Sequence, residues 1–196
     1  MTGALSTHRG ERVVAGVSLR RHGRVLLDEV VHTDYGQFDL AWSGVGFDGD
    51  FERLFRGQTN GLVGAASGKG VYIKLARRSG GSRVRIALSD SEPPLPDNDL
   101  GDVVEVSIAV PEGAAVRWSS WAGESSGPLE GLGAGTYRVR VSGRARDAGR
   151  DGEFVDGVVD EYRVEGWPAP LADDAVVRVG SEDARYWHSE VGGGRW

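Results

Sequence analysis

The chain contains no cysteine, which removes disulfides, thiol nucleophiles and thiolate metal sites at once and fits a reducing compartment. It has no apolar run approaching the length of a bilayer span, and Met1 to Arg12 lacks the apolar stretch of a signal peptide, so a cytoplasmic location is expected. The histidines His8, His22, His32 and His188 form no His-x-His or His-x-x-x-His pair, so no single segment carries a zinc site. The serine between His188 and Glu190 is read on an extended segment whose neighbours face opposite ways, which argues against a hydrolase site there. Long stretches of strong helix formers are scarce, and no internal repeat stands out. These absences predict no catalytic residues, no metal and no cofactor.

Glycine, by contrast, is abundant. Its 31 copies fit many tight turns between short strands, because glycine reaches the positive φ that hairpin turns need. With 39% hydrophobic and 27% charged residues the composition is that of a globular protein and not of a disordered one. A net charge of −6 disfavours direct binding to nucleic acid and favours a basic protein partner.

Alternation of apolar and polar side chains is the dominant pattern, with the period of two that belongs to half-buried strands. Tyr137, Val139 and Val141 point inward and Arg138 and Arg140 outward; Val104, Val106, Ile108 and Val110 form one wall, and Val84, Ile86 and Leu88 another. Further strands are predicted over Val13–Leu19, Val25–Val31, Tyr35–Leu40, Val71–Leu75, Ala115–Trp121, Val158–Val164 and Val176–Val179, separated by turns such as Arg21-His22-Gly23, Ser79-Gly80-Gly81 and Pro111-Glu112-Gly113. One short helix is expected, capped by Asp50, with Phe51, Leu54 and Phe55 on one face and Gly57 at its end. The expected fold is all-β, an antiparallel β-sandwich of about ten short strands with at most one short helix. Residues 1–196 are expected to form one domain. The proline-rich, acidic run within residues 91–101 is either a sub-boundary or a crossover loop between sheets, and residues 192–196 read as a flexible end.

Several motifs have a plainer reading beside the chemical one. Gly44, Gly46 and Gly49 match the spacing of a dinucleotide loop, but no long helix follows, so a glycine turn is expected. Asp97, Asp99 and Asp102 carry carboxylates at calcium-loop intervals, yet Ile108 stands where the bidentate glutamate belongs. Among the tryptophans, Trp118 and Trp121 are three apart, so along a strand they face opposite sides and one of them is a candidate for the surface. Trp167-Pro168-Ala169-Pro170 must be extended and is read as a rigid exit from the last strand of the main sheet, plugged by Trp167. The most distinctive surface element runs from Arg144 to Glu161. It is read either as a solvated hairpin tip or as a recognition loop, and in the second case Asp147, Asp151, Glu153, Asp156, Asp160 and Glu161 would meet a basic partner.

The order of four patterned segments carries a resemblance. Tyr35-Gly36-Gln37-Phe38 is followed by the Gly/Ala stretch from Gly61 to Gly70 running into Val71-Tyr72-Ile73. The paired strands Val103–Val110 and Ala115–Ser119 come next, and then Gly135-Thr136-Tyr137-Arg138-Val139. Across residues 32–143 this order resembles the competence protein J family, small inhibitors of a DNA-entry nuclease. Over the full length the chain is also similar to uncharacterised actinobacterial proteins that share the Tyr-Gly-Gln-Phe and Trp-Pro-Ala-Pro segments. The family resemblance implies a non-enzymatic inhibitor or immunity-type protein whose partner is a nuclease or toxin. An acidic protein suits that role, since a nuclease cleft is lined with cations. A carbohydrate or small-ligand module using exposed tryptophans is the alternative. A hydrolase whose site is assembled only in three dimensions, from His188 with Asp and Ser side chains, is a third reading.

Overall fold

A computed structural model describes residues 23–43 and 49–193. The strand expected over Val13–Leu19, most of the Arg21-His22-Gly23 turn, Gly44, Gly46, His8 and Trp196 lie outside the described residues. Each of the other expected strands is present. They are β1 (Arg24–Thr33), β2 (Gln37–Ala41), β4 (Gly70–Lys74), β5 (Gly80–Leu88), β6 (Asp102–Val110), β7 (Arg117–Ser120), β9 (Gly135–Arg144), β10 (Glu161–Pro168) and β11 (Ala175–Arg178), joined by two short additions, β3 (Val63–Gly64) and β8 (Ser126–Pro128).

The strands make two sheets, one in the order β1-β5-β10-β9-β6-β11 and the other β3-β4-β2-β7-β8. Pairing is antiparallel except between β5 and β10. The direction of β10 is set by its antiparallel ladder with β9, so it meets β5 parallel. The inward residues that period two selects form one continuous core shared by the two sheets. Val31, Val84, Val106, Val141 and Val164 of the first meet Phe38, Leu40, Ile73 and Trp118 of the second, each contributing about 1.5–3 kcal/mol by leaving water.

The chain is largely β, but the expectation of at most one helix is corrected: three α-helices occur among the described residues. Helix α1 (Phe51–Phe55) is the anticipated one, with the Asp50 carboxylate accepting from the Arg53 amide at 2.9 Å. Phe51 and Phe55 pack on Tyr72 and make a satellite core against the second sheet. Helix α2 (Arg146–Asp151) replaces the front of the expected charged loop. Helix α3 (Glu182–Glu190) replaces the extended reading around His188. It begins where the Ser181 hydroxyl accepts from the Ala184 amide at 3.0 Å, with Glu182 and Asp183 in its first turn, where the helix dipole favours acids. A Cβ at Gly61 would collide with the Trp187 carbonyl oxygen, so glycine there lets the chain run directly against this helix.

Three further readings change. The proline-rich run joins β5 to β6 within the same sheet, so it is not a crossover between sheets, and the one core draws on residues from both sides of it. Trp167-Pro168 ends β10, but β10 is not the last strand, because β11 follows and pairs with β6 at the sheet edge. The first tail residues are bonded to the body: the Gly193 amide donates to the Gln58 carbonyl at 3.1 Å.

Candidate functional site

One end of the two sheets brings together three exposed aromatic side chains, Tyr35, Trp121 and Phe154, with several charged ones. There β1 turns into β2 at Tyr35, β4 turns into β5 at Arg77 and Arg78, β7 ends in the 3-10 turn Trp121–Gly123, and β9 passes through α2 and the loop 152–160 into β10.

This end is braced from inside by ionised side chains. Arg146, only 3% exposed, donates through Nε and Nη2 to Asp183 Oδ2 at 3.0 and 2.5 Å and through Nη1 to the Lys74 carbonyl at 2.9 Å, and its guanidinium lies 5.6 Å from the Tyr162 ring centre. Asp102 accepts from the Gly180 and Ser181 amides and, at 2.6 Å, from the Ser181 hydroxyl. The Tyr162 hydroxyl donates to Asp160 Oδ2 at 2.8 Å and accepts from the Ala76 amide at 2.6 Å. Burial pushes that phenol well above its ordinary range. Buried polar groups are tolerated only when bonded in this way, and the result is a rigid junction of β4, β6, β10, α2 and α3.

The six acids proposed as contacts separate accordingly. Asp160 is 1% exposed and accepts from the Ser82 hydroxyl at 2.6 Å as well as from Tyr162, so it belongs to the brace and not to a contact surface. Asp147 accepts from the Asp183 and Glu182 amides at 2.8 and 3.1 Å and so completes the N-terminus of α3. Burial works against its charge, but the two amides and Arg150 hold its carboxyl below the usual range. Glu161 pairs with Arg144 across the β9–β10 ladder. Asp151, Glu153 and Asp156 remain at the surface.

Sequence reasoning missed the apolar group that these three flank in the chain. Phe154 is 88% exposed at the tip of the loop, with Val155 and Val158 exposed beside it. The loop is held by Arg77, a buried side chain that donates to the carbonyls of Ser79, Gly81, Gly157 and Val155. A single phenylalanine among acids and glycines gives no period to read, and Arg77 lies far away in sequence.

Beside the loop, Tyr35 (52% exposed) contacts Trp121 (36% exposed) with ring centres 5.1 Å apart, and Arg78 lies 5.3 Å from the Tyr35 ring centre. Trp118 is buried and Trp121 is at the surface, the split that their spacing anticipates. Tyr35 has φ 58° and Ala122, next to Trp121, has φ 52°, left-handed values that cost a non-glycine residue about 1–2 kcal/mol. The Tyr35 turn is secured by the Lys74 ammonium, which donates to the Tyr35 carbonyl at 2.6 Å. Tyr35→Asn is therefore expected to leave the thermal midpoint unchanged or raise it, asparagine being at ease in this backbone region. A drop of more than about 1 kcal/mol in chemical denaturation would mean that the ring serves folding.

The remaining candidates are committed elsewhere. His188 accepts from the Gly61 amide through Nδ1 at 3.0 Å, and burial, reinforced by Arg146, holds its pKa down. Ser189 and Glu190 are exposed on the same helix, and no hydroxyl bonds His188 among the described residues. Asp99 pairs with Arg144, while Asp102 is buried against Ser181, so the calcium spacing is not assembled. No group of three His, Asp or Glu side chains suited to a metal ion occurs among the described residues. No helix there is long and apolar enough to cross a membrane.

Fold and site together describe a largely β, two-sheet protein with an arginine-braced, aromatic and acidic surface at one end. No protein-family model matches the chain, and no curated protein does. Among solved structures it is similar to the protein described as crocagin biosynthetic gene J, at 14% identity and a TM-score of 0.46, over 76% of this chain and 99% of that one.

Proposed function

We propose that this chain is a non-catalytic protein-binding module that meets a basic partner through the loop 152–159 and the adjoining Tyr35–Trp121 pair. The observation that carries the reading is Phe154, a large apolar ring held in water on a loop whose backbone a buried arginine clamps. Aromatic anchors dominate protein interfaces, and a loop fixed beforehand loses little entropy on binding. Asp151, Glu153 and Asp156 around the ring suit a cationic partner. The resemblance to the competence protein J family supports a nuclease or toxin as that partner and inhibition as the outcome. The alternative, a sugar-binding surface, would use Tyr35 and Trp121, whose planes are 46° apart and so form no flat platform.

The test begins with capture of the partner from native cell extract on immobilised protein, followed by affinity measurement against Phe154→Ala. The variant should melt like the parent, since the ring packs on little, and should bind at least about 30-fold more weakly. Equal affinity of parent and variant for the captured protein would remove the loop from the reading.

A further inference from the structure

Two adjacent arginines in the turn from β4 to β5 have opposite fates. Arg77 is buried on four carbonyl oxygens, whereas Arg78 lies at the surface with its guanidinium over Tyr35 and its Nε 3.8 Å from Glu153 Oε1, and among the described residues its side chain makes no hydrogen bond. The same trio of guanidinium, aromatic face and carboxylate occurs twice more in this protein. Arg140 sits over Trp167 with Glu105, and Arg146 over Tyr162 with Asp183. Both of those are buried, and every guanidinium nitrogen of each donates a hydrogen bond. The surface copy has the ring and the carboxylate but an occupant at the long limit of an ion pair, in solvent that screens it.

We propose that Tyr35, Trp121 and Glu153 form a guanidinium-binding site which Arg78 fills loosely in the free protein, and that an arginine of the partner displaces it. The inference rests on the protein-binding reading and names the chemistry the partner must present there. A guanidinium fits better than an ammonium, because its plane stacks on a ring while its edge offers paired donors to a carboxylate. The exposed acids Glu124 and Asp156, close in sequence to Trp121 and Glu153, favour a cationic occupant. Arg78 acts as a built-in competitor, so the site's apparent affinity is reduced by the fraction of time Arg78 fills it.

The probes are hexa-arginine and hexa-lysine peptides, titrated into the parent, Arg78→Ala and Arg78→Ala/Glu153→Gln by calorimetry. Arg78→Ala should bind hexa-arginine about fivefold more tightly than the parent does and more tightly than it binds hexa-lysine, and the second substitution should cancel that gain. Affinity unchanged or weakened in Arg78→Ala, or equal for the two peptides, overturns the proposal. The two readings fail separately. A captured partner that depends on Phe154 but is indifferent to Arg78→Ala leaves the binding module standing and rejects the arginine exchange.

Discussion

Arg146→Met will lower folding stability by about 3–5 kcal/mol, the range found when one member of a buried ion pair is removed. The substitution keeps most of the side-chain volume, so the loss comes from charge. Asp183, buried on α3, surrenders both of its guanidinium bonds, and the Lys74 carbonyl surrenders its donor. Asp102, 4.0 Å from the guanidinium, keeps its three bonds to residues 180 and 181 and suffers less. Urea unfolding should show a lower midpoint at unchanged slope. Pairing the change with Asp183→Leu should recover part of the loss, because two apolar groups leave no buried charge behind. A second readout is Lys74, whose pKa burial and then Arg146 hold down at about 8 from 10.5. The unfolded chain binds that proton more tightly, so the parent gains stability as pH rises from about 8 toward 10.5. The gain should shrink without Arg146. A loss under about 1 kcal/mol would show that the brace does not hold this end together.

Arg140→Met is the other large effect, again about 3–5 kcal/mol. Arg140 is 0% exposed although it lies on the face of β9 away from the core. It donates to Glu105 at 2.8 Å, to the Pro93 and Pro94 carbonyls at 2.9 and 3.1 Å and to Glu92 at 3.1 Å, and it covers Trp167. These contacts seat the crossover between β5 and β6 on the sheet. Without them the crossover should lift locally, and amide exchange at Leu100, which bonds the Asp97 carbonyl, should quicken more than exchange in β1 or β2. Exchange that rises uniformly, or not at all, would contradict a local role.

Both arginines show where reading the chain stops. Period two placed Arg138 and Arg140 on the outer wall of their strand, which is correct, yet outer did not mean wet. The proline run and the segment carrying Ala172 and Asp173 cover that wall, with Arg138 donating to both of those carbonyls. Helix α3 had a usable signal in Ser181-Glu182-Asp183, a capping residue followed by acids, but its short length and the neighbouring extended segments hid it. Asp160 and Asp156 look alike in a charged loop. One is sealed against Ser82 and Tyr162 and the other faces water, because Asp160 immediately precedes β10 while Asp156 lies farther out in the loop.

Alternation is a local property, since adjacent residues of an extended chain point opposite ways whatever they later touch. The described strands, their inward walls, the Asp50-capped turn and the opposite siding of Trp118 and Trp121, though not which of the two is exposed, could therefore be read along the chain. Which acid meets which arginine could not be read that way. Arg146 reaches 37 residues to Asp183 and 72 to Lys74, and Arg77 reaches 80 to the loop that presents Phe154. Such pairings exist only once the chain has folded, and they depend on low-dielectric burial that no short stretch of sequence can create.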